Sequence, residues 1–197
     1  ANIETVVALD VAPDSIVVED TAAHLQADLA AGASSDILTN LALISALTNS
    51  DLGTFTLTAA QVLFAGVNDG AGSALQKMDV VELVVTEALA ADVGTIADMG
   101  VAPTSIAVSD TAANLSIDLA LGAGSHILGD LDLVSGIANS DAGAITLTAA
   151  QVLFAGVNDG AGSAMAKVTG GTLVVTEATV AEIETIADLD VAPASIA

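Results

Sequence analysis

Residues 144–158 read AITLTAAQVLFAGVN, a strand pattern followed by a helix cap and a helix pattern. The run ITL suits a β-strand because β-branched and aliphatic side chains pack well on a pleated surface. Thr148 and Gln151 fit the Thr-x-x-Gln capping box that begins a helix, and Thr58 and Gln61 repeat it. The stretch therefore predicts one strand, cap and helix pass of an α/β fold.

Two further stretches of the same region show this order of patterns. They are SIAVSDTAANLSIDLALG from Ser105 and TLVVTEATVAEIETIADLDV from Thr172. We place the three strand-to-helix junctions at Ser109, Thr148 and Thr176. In the last stretch, four apolar residues have the spacing of one helix face: Val180, Ile183, Ile186 and Ala187.

An additional strand is predicted between the first two passes. Residues 131–143 read LDLVSGIANSDAG, a strand that ends in a turn with Gly143. Strands that are joined through helices are expected to be parallel, with right-handed crossovers. The sequence thus predicts a tandem-repeat α/β solenoid with a parallel sheet, with about 90 residues and three strand-helix passes per repeat. The alternative is a row of separate α/β beads, but no linker rich in Pro, Ser or Gly lies between the copies.

A period of ninety residues organises the whole chain. The nineteen residues TLTAAQVLFAGVNDGAGSA occupy 56–74 and return unchanged at 146–164. About 54 of the first 90 residues equal the residue ninety positions later, and all three prolines keep the spacing: Pro13, Pro103 and Pro193. We expect an excerpt of a longer array, with the end of one repeat in 1–10, full repeats in 11–100 and 101–190, and a new repeat starting in 191–197.

The patterns SIAVSDTAANL, AITLTAAQV and LVVTEATVAEIETIAD resemble a known class of repeat region. This class is the acidic, Cys-free repeats of very large bacterial proteins exported by type I secretion, which often lie beside hemolysin-type calcium-binding repeats. The resemblance covers nearly the whole chain, and VSDTAANL at 108–115 is its most specific part. It implies an extracellular or cell-surface structural role, as an adhesin stalk, surface layer, matrix component or filament. The GGxGxDxxx motif is absent, so calcium binding by that motif is not implied.

Composition excludes several classes of function. The formal net charge is −23, with 25 acidic residues against Lys77 and Lys167. Two cations cannot neutralise a run of phosphates, so neither nucleic acid nor an anionic lipid surface is an expected partner. Cysteine is absent, which removes disulfides and thiol chemistry. The longest uncharged runs, 52–68 and 142–158, are shorter than the roughly 20 residues a bilayer requires, so we expect no membrane insertion.

We predict no enzyme activity and no catalytic residue. His24 and His126 are not kept between the copies, whose partner residues are Asn114 and Asp36, so both histidines are expected on the surface. No hydroxyl residue lies in a GxSxG motif, and none has a repeated base near it in sequence. One TLT triplet per ninety residues is too sparse for the threonine ladder of an ice-binding surface.

Two kinds of Asn and Asp turn are candidate Ca²⁺ sites, although a plain turn or helix end explains each as well. In the turns at 49–53 and 139–143, the oxygen donors alternate with other residues and are followed by glycine, but no bidentate Glu follows at the expected distance. In the turns at 68–70 and 158–160, Asn, Asp and Gly are adjacent, a pattern typical of a helix end. The candidate metal residues are Asn49, Asp51, Asn68, Asp69, Asn139, Asp141, Asn158 and Asp159.

The identical nineteen-residue segment combines a cap, a core pattern and a glycine-rich end. Val62, Leu63, Phe64 and Val67 are predicted core residues. The glycine-rich second half, together with the phenylalanine, is a candidate contact between repeats or subunits, because glycine permits close backbone approach. The candidate contact residues are Phe64, Gly70, Gly72, Phe154, Gly160 and Gly162. Recent duplication explains the identity equally well.

The leading hypothesis is a non-catalytic structural segment of a large extracellular protein. Its partners would be neighbouring repeats or further copies of itself, since an open solenoid end exposes unpaired strand edges. The alternative is a repeat module that Ca²⁺ rigidifies for adhesion.

Overall fold

The computed structural model describes residues 3–9, 13–79 and 82–197. The first of the three DVAP-like motifs falls partly outside these residues, at 10–12. The chain is a mixed α/β structure of short elements, as the alternation of strand and helix patterns predicts. It forms two compact units, Ala1–Thr86 with Asp98–Thr104, and Glu87–Ala97 with Ser105–Ala197.

Residues 3–97 form short helices and strands. They are α1 Ile3–Val7, β1 Ile16–Asp20, α2 Ala22–Ala30, α3 Asp36–Thr39, β2 Ile44–Asn49, β3 Phe55–Thr58, α4 Ala59–Val62, β4 Leu83–Ala88 and α5 Val93–Ala97. Short 3-10 turns lie at Gly32–Ser34, Leu75–Lys77 and Ala90–Asp92.

The elements of residues 105–197 follow a similar order. They are β5 Ser105–Asp110, α6 Ala112–Ala120, α7 His126–Gly129, β6 Val134–Asn139, β7 Ala144–Thr148, α8 Ala149–Val152, α9 Ala164–Lys167, β8 Val168–Thr169, β9 Thr172–Thr176, α10 Ile183–Ala187 and β10 Ser195–Ile196. A 3-10 turn lies at Gly122–Gly124. Helices α2 and α6 occupy positions ninety residues apart, and so do several of the strands.

The strand pairings described within each unit are parallel. In the first unit β1 pairs with β2, and β3 pairs with β4. In the second unit β6 lies between β5 and β8, and β9 lies between β7 and β10. Parallel pairing requires each chain crossover to pass through another element, and the short helices and turns provide these crossovers. The prediction of an α/β fold with parallel strands is therefore confirmed at this level.

The helix caps agree closely with the sequence. The hydroxyl of Thr58 accepts a hydrogen bond from the Gln61 N–H, and the Gln61 side chain accepts one from the Thr58 N–H. Thr148 and Gln151 form the same reciprocal pair. These two predicted capping boxes are confirmed, because a capping box depends only on residues that are neighbours in the chain.

Two predicted junctions are wrong. Strand β5 continues through Asp110, so the cap of α6 is Thr111 rather than Ser109. Strand β9 ends at Thr176, but the following Glu177 has a φ of 59° and the helix begins only at Ile183. A positive φ at a non-glycine residue redirects the chain away from the helical path.

Each unit has its own apolar core. The largest fully buried side chains include Phe55, Leu25 and Leu57 in the first unit and Ile96 and Leu115 in the second. Val62 and Val67 are buried as predicted, but Phe64 is 39% exposed and is not a core residue. The single turn of α4 ends at Val62, so Phe64 does not continue its buried face.

The predicted buried face of the last helix is also wrong in part. Ile186 is fully buried, whereas Val180 is 90% and Ile183 44% exposed, and Ala187 is exposed as well. Val180 also precedes the helix, which begins at Ile183, and no element among the described residues covers Val180 or most of Ile183.

Candidate functional site

The Asn and Asp turn after β2 is used to hold the start of helix α2. Asp51 Oδ1 accepts hydrogen bonds from the backbone N–H groups of Ala22, at 2.9 Å, and of Gly53, at 3.2 Å. These bonds favour the charged carboxylate and hold the pKa of Asp51 below its usual value. The side-chain amide of Asn49 donates to the Gly53 carbonyl oxygen at 2.9 Å, which closes the turn.

The equivalent turn after β6 has the same geometry. Asp141 Oδ1 accepts from the N–H groups of Ala112, at 3.0 Å, and of Gly143, at 3.1 Å, and the pKa of Asp141 is lowered for the same reason. Asn139 donates to the Gly143 carbonyl oxygen at 2.9 Å. The Oδ1 atoms of Asn49 and Asn139 are both buried and accept no hydrogen bond in the structure.

The Asn-Asp-Gly turns are occupied by backbone contacts. Buried Asn68 uses both atoms of its amide, accepting from the Val101 N–H and donating to the Val101 carbonyl oxygen, each at 2.8 Å. Asn158 binds Val191 in the same way, at 3.0 and 2.9 Å. Asp69 and Asp159 each accept from a glycine N–H three residues earlier, at 2.9 Å.

A calcium site needs six to eight oxygen ligands that converge on one point. In the described ranges, no group of three or more His, Asp or Glu side chains comes together where it could hold a metal ion. The eight candidate metal residues bind backbone groups of their own turns, of the start of α2 or α6, or of the residues around Val101 and Val191. The calcium alternative therefore stays a prediction without a geometric site to support it.

The glycine-rich end of the identical segment is shaped by backbone conformation. Gly70 and Gly72 have φ values of 124° and 91°, a region that disfavours other residues, and Gly160 has a φ of 149°. A Cβ atom at Gly70, Gly72 or Gly162 would meet no atom of the described residues within 4 Å, so none of these glycines serves a close approach within that part of the chain. The candidate contact at this segment remains a prediction about other repeats or chains.

The two candidate phenylalanines each lie over a glycine of the preceding helix end. A Cβ atom at Gly32 would be 3.4 Å from the ring of Phe64, and one at Gly122 would be 3.2 Å from the ring of Phe154. Both rings are 39% exposed. Phe64 and Phe154 are thus partly covered within their own units and keep an outer edge at the surface.

The histidines confirm their predicted surface positions, with side chains 72% exposed at His24 and 46% exposed at His126. His126 Nδ1 lies 3.1 Å from Asp118 Oδ1, and the Ser125 hydroxyl donates to Asp118 Oδ2 at 2.5 Å. A nucleophilic triad places the imidazole between the hydroxyl and the carboxylate. Here both groups bind the carboxylate, so these three residues do not have the geometry of a triad.

Asp118 instead anchors the start of helix α7. It is buried, and besides Ser125 it accepts from the backbone N–H groups of His126, at 3.0 Å, and Ile127, at 3.2 Å. Asp28 makes the matching bonds before α3. Sequence reasoning missed this anchor, although the pattern Asp-x6-Ser is present in both copies.

The two lysines were also missed as structural residues. Lys77 Nζ donates to the carbonyl oxygens of Leu41 and Ile44, at 2.9 and 2.6 Å. Lys167 donates to those of Leu131 and Val134, at 2.8 and 2.7 Å. The sequence signal was available, because the only two cationic residues of the chain lie ninety positions apart.

The surface also contains exposed apolar residues in two places of the second unit. A groove of about 240 Å³ is lined by Leu89, Ile117 and Leu121, with Asp118 and His126 at its edge. The other place is formed by Val180 and Ile183, described above, and we call these two residues the α10 face.

No family model, curated protein or solved structure matches this chain. Among the described residues, no helix has the length and hydropathy needed to cross a membrane.

Proposed function

We propose that this chain is a non-catalytic structural segment of a large extracellular bacterial protein. Its α/β repeats would stack into a solenoid that forms part of a rod, filament, surface layer, or matrix or adhesin stalk. The resemblance to type I-secreted repeat regions supports the location, and the charge of −23 suits a soluble surface structure without nucleic-acid partners.

One observation carries the proposal: the residues that start a new copy of the period are bound by the copy before them. In the second unit, β10 pairs in parallel with β9, with Ser195 opposite Val174 and Ile196 opposite Val175. The Ala194 N–H donates to the Leu173 carbonyl oxygen at 2.8 Å. The sheet of one copy thus accepts the first strand of the next.

The first unit repeats this attachment at the equivalent residues. The Thr104 N–H donates to the Leu83 carbonyl oxygen at 2.8 Å, which matches Ala194 and Leu173. The amides of Asn68 and Asn158 hold Val101 and Val191 by two bonds each. A backbone hydrogen bond and a buried amide therefore hold the start of the next copy in both places, whereas separate beads would be joined by a linker without such bonds.

A doubled chain tests this function. Because residues 1–17 align with 181–197, residues 1–180 can be followed directly by residues 1–197 without interrupting the period. We expect small-angle scattering and electron microscopy to show a particle that is about twice as long as the single chain with an unchanged cross-section. A doubled chain that forms two particles with independent orientations would contradict the stacked solenoid.

A further inference from the structure

We propose that the α10 face, Val180 and Ile183, binds helices α2 and α3 of a second copy of this chain. This inference rests on the proposed function and names the surface and the partner through which separate chains would join. Stacking would then result from contacts between folded surfaces of separate chains, as well as from repeats that follow one another in a single chain.

The first step compares the burial of the α10 face with that of the equivalent residues ninety positions earlier. Ala90 and Val93, the counterparts of Val180 and Ile183, are 2% and 0% exposed. They are buried because the turn Ala90–Asp92 packs on α6 and α7, and α5 packs on α7. The Ala90 N–H also donates to the buried Asp110 Oδ2 at 3.0 Å.

The second step compares three helices that occupy the same place in the period. Helices α1 and α10 begin with the same letters, IET, and Val93 begins α5 at the equivalent position. Ile3 of α1 is 3% exposed because α1 packs on α3, and Val93 is 0% exposed because α5 packs on α7. Ile183 lacks such a neighbour and is 44% exposed.

These comparisons identify the occupant of the face. An aliphatic residue at this position is buried wherever an α3-type or α7-type helix lies against it. Covering Val180 as well requires an α2-type helix, as α6 lies beside Ala90. A second copy of the chain presents both elements together, in α2 and α3.

The geometry also predicts that the docking competes with an internal contact. In the second copy, α1 already lies on α3, and the incoming α10 would take its place. A helix of the same chain has a high effective concentration, so we expect the wild-type chain to associate only weakly. Release of α1 should strengthen the association.

This competition gives a pair of matched variants with opposite expected effects. Ile3→Asp weakens α1 on its own α3 and opens the acceptor, whereas Ile183→Asp places a charge on the α10 face. Both substitutions exchange the same residue type and add the same charge. Ile117→Asp, at an exposed site on α6 outside the face, is the control for charge and for loss of surface apolarity.

We would measure the wild type, the three single variants and the double variant Ile3→Asp with Ile183→Asp, each as the chain of 197 residues, by sedimentation velocity over a range of concentrations. About 0.5 M sodium chloride would screen the charge of −23. We expect concentration-dependent association of the wild type and of Ile117→Asp, and association at least about tenfold tighter for Ile3→Asp. Ile183→Asp and the double variant should stay monomeric. If the double variant associated, the exposed surface of α3 would be binding other copies without the α10 face.

The inference is overturned if Ile183→Asp associates as the wild type does, or if neither the wild type nor Ile3→Asp associates at all. Circular dichroism of each variant establishes that the fold is kept. A monomeric wild type together with a doubled chain that forms a rod would remove the docking of separate chains and leave the proposed function standing. Two independent particles from the doubled chain would remove the proposed function itself.

Discussion

At the residue scale, glycine is required at some positions of this chain and is incidental at others. Gly171 has a φ of 75°, and a Cβ atom there would overlap the side-chain amide nitrogen of Asn139 and the carbonyl oxygen of Gly143. Gly162 has neither constraint, because a Cβ atom there meets nothing within 4 Å and its φ is not positive. The same residue type thus has a steric and conformational role at one position and neither role at the other.

This contrast predicts opposite outcomes for two identical substitutions. Gly171→Ala should lower the free energy of unfolding by more than about 2 kcal/mol, because it combines the cost of a positive φ with overpacking. Gly162→Ala should leave the free energy of unfolding within about 0.5 kcal/mol of the wild type. Urea unfolding followed by circular dichroism measures both. Equal stability of the two variants would show that Gly171 is not constrained as the structure indicates.

Each lysine acts as a donor to main-chain carbonyl groups, so its role differs from that of a surface cation. Lys77→Met should lower the free energy of unfolding by about 1–3 kcal/mol, since Leu41 and Ile44 each lose a donor to a partly buried carbonyl oxygen. Thermal unfolding at low salt and in about 1 M sodium chloride, where the Debye length is about 3 Å, separates the loss of these hydrogen bonds from the change in net charge. The loss should persist at high salt. A loss that vanishes there would mean that only the net charge matters.

At the element scale, the carboxylates of Asp51 and Asp141 fix the starts of α2 and α6. Each accepts two backbone N–H groups, and one of the two belongs to the first residue of the helix, some twenty-nine residues earlier in the chain. A helix N-terminus favours negative charge, so the same contact also suits the helix dipole. The turn and the helix therefore stabilise each other.

These contacts predict how stability depends on pH. The folded-state pKa values of Asp51 and Asp141 lie below the unfolded value, so their contribution is present above about pH 3.9 and is lost as the pH falls through the folded values. Asp51→Asn, which keeps an oxygen acceptor but cannot titrate, should reduce this acid-dependent loss. The measurement is the free energy of unfolding between pH 2 and 7. Asp14→Asn, at an exposed aspartate in the same unit, should change the profile less.

The elements also show how far sequence alone could lead. The capping boxes at Thr58 and Thr148 were predicted completely, because their partners are three residues away. The start of α10 was not predicted, because Glu177 has a positive φ that its residue type does not announce. The anchors Asp28 and Asp118 were missed for another reason: each binds residues seven to nine positions later, a contact that exists only after the turn has formed.

The buried or exposed state of a predicted face depends on a partner, which a local pattern cannot specify. Ile3, Val93 and Ile183 begin helices at positions that are ninety residues apart, yet only the first two are buried. Phe64 gives a second case, since the end of α4 at Val62 turns the ring to the surface. Periodicity therefore indicates an apolar face, whereas the burial of that face depends on whether a neighbouring element packs against it.

At the scale of the whole molecule, the dominant feature is a large negative charge whose few counter-charges are used internally. The chain carries 25 acidic residues, and both lysines donate to backbone carbonyl oxygens. Repulsion among like charges destabilises a compact state, and salt screens it. The fold should consequently be more stable at high ionic strength than at low ionic strength.

This reasoning gives a prediction that also tests the calcium alternative. The melting temperature, Tm, should rise by several degrees between about 10 mM and 0.5 M sodium chloride, because the Debye length falls from about 30 Å to less than 8 Å.

Calcium and magnesium chloride at equal ionic strength should raise Tm by equal amounts if the ions act only as a screening atmosphere. A specific Ca²⁺ site would add a stabilisation that grows with the logarithm of the Ca²⁺ concentration and is reversed by chelation. The comparison is sharpest in Asp51→Asn and Asp141→Asn, because a calcium site at these turns would lose a carboxylate and the excess effect of Ca²⁺ with it. Equal shifts for both cations in the wild type and in both variants would establish screening as the cause, and an excess for Ca²⁺ that the variants abolish would establish a site at the turns.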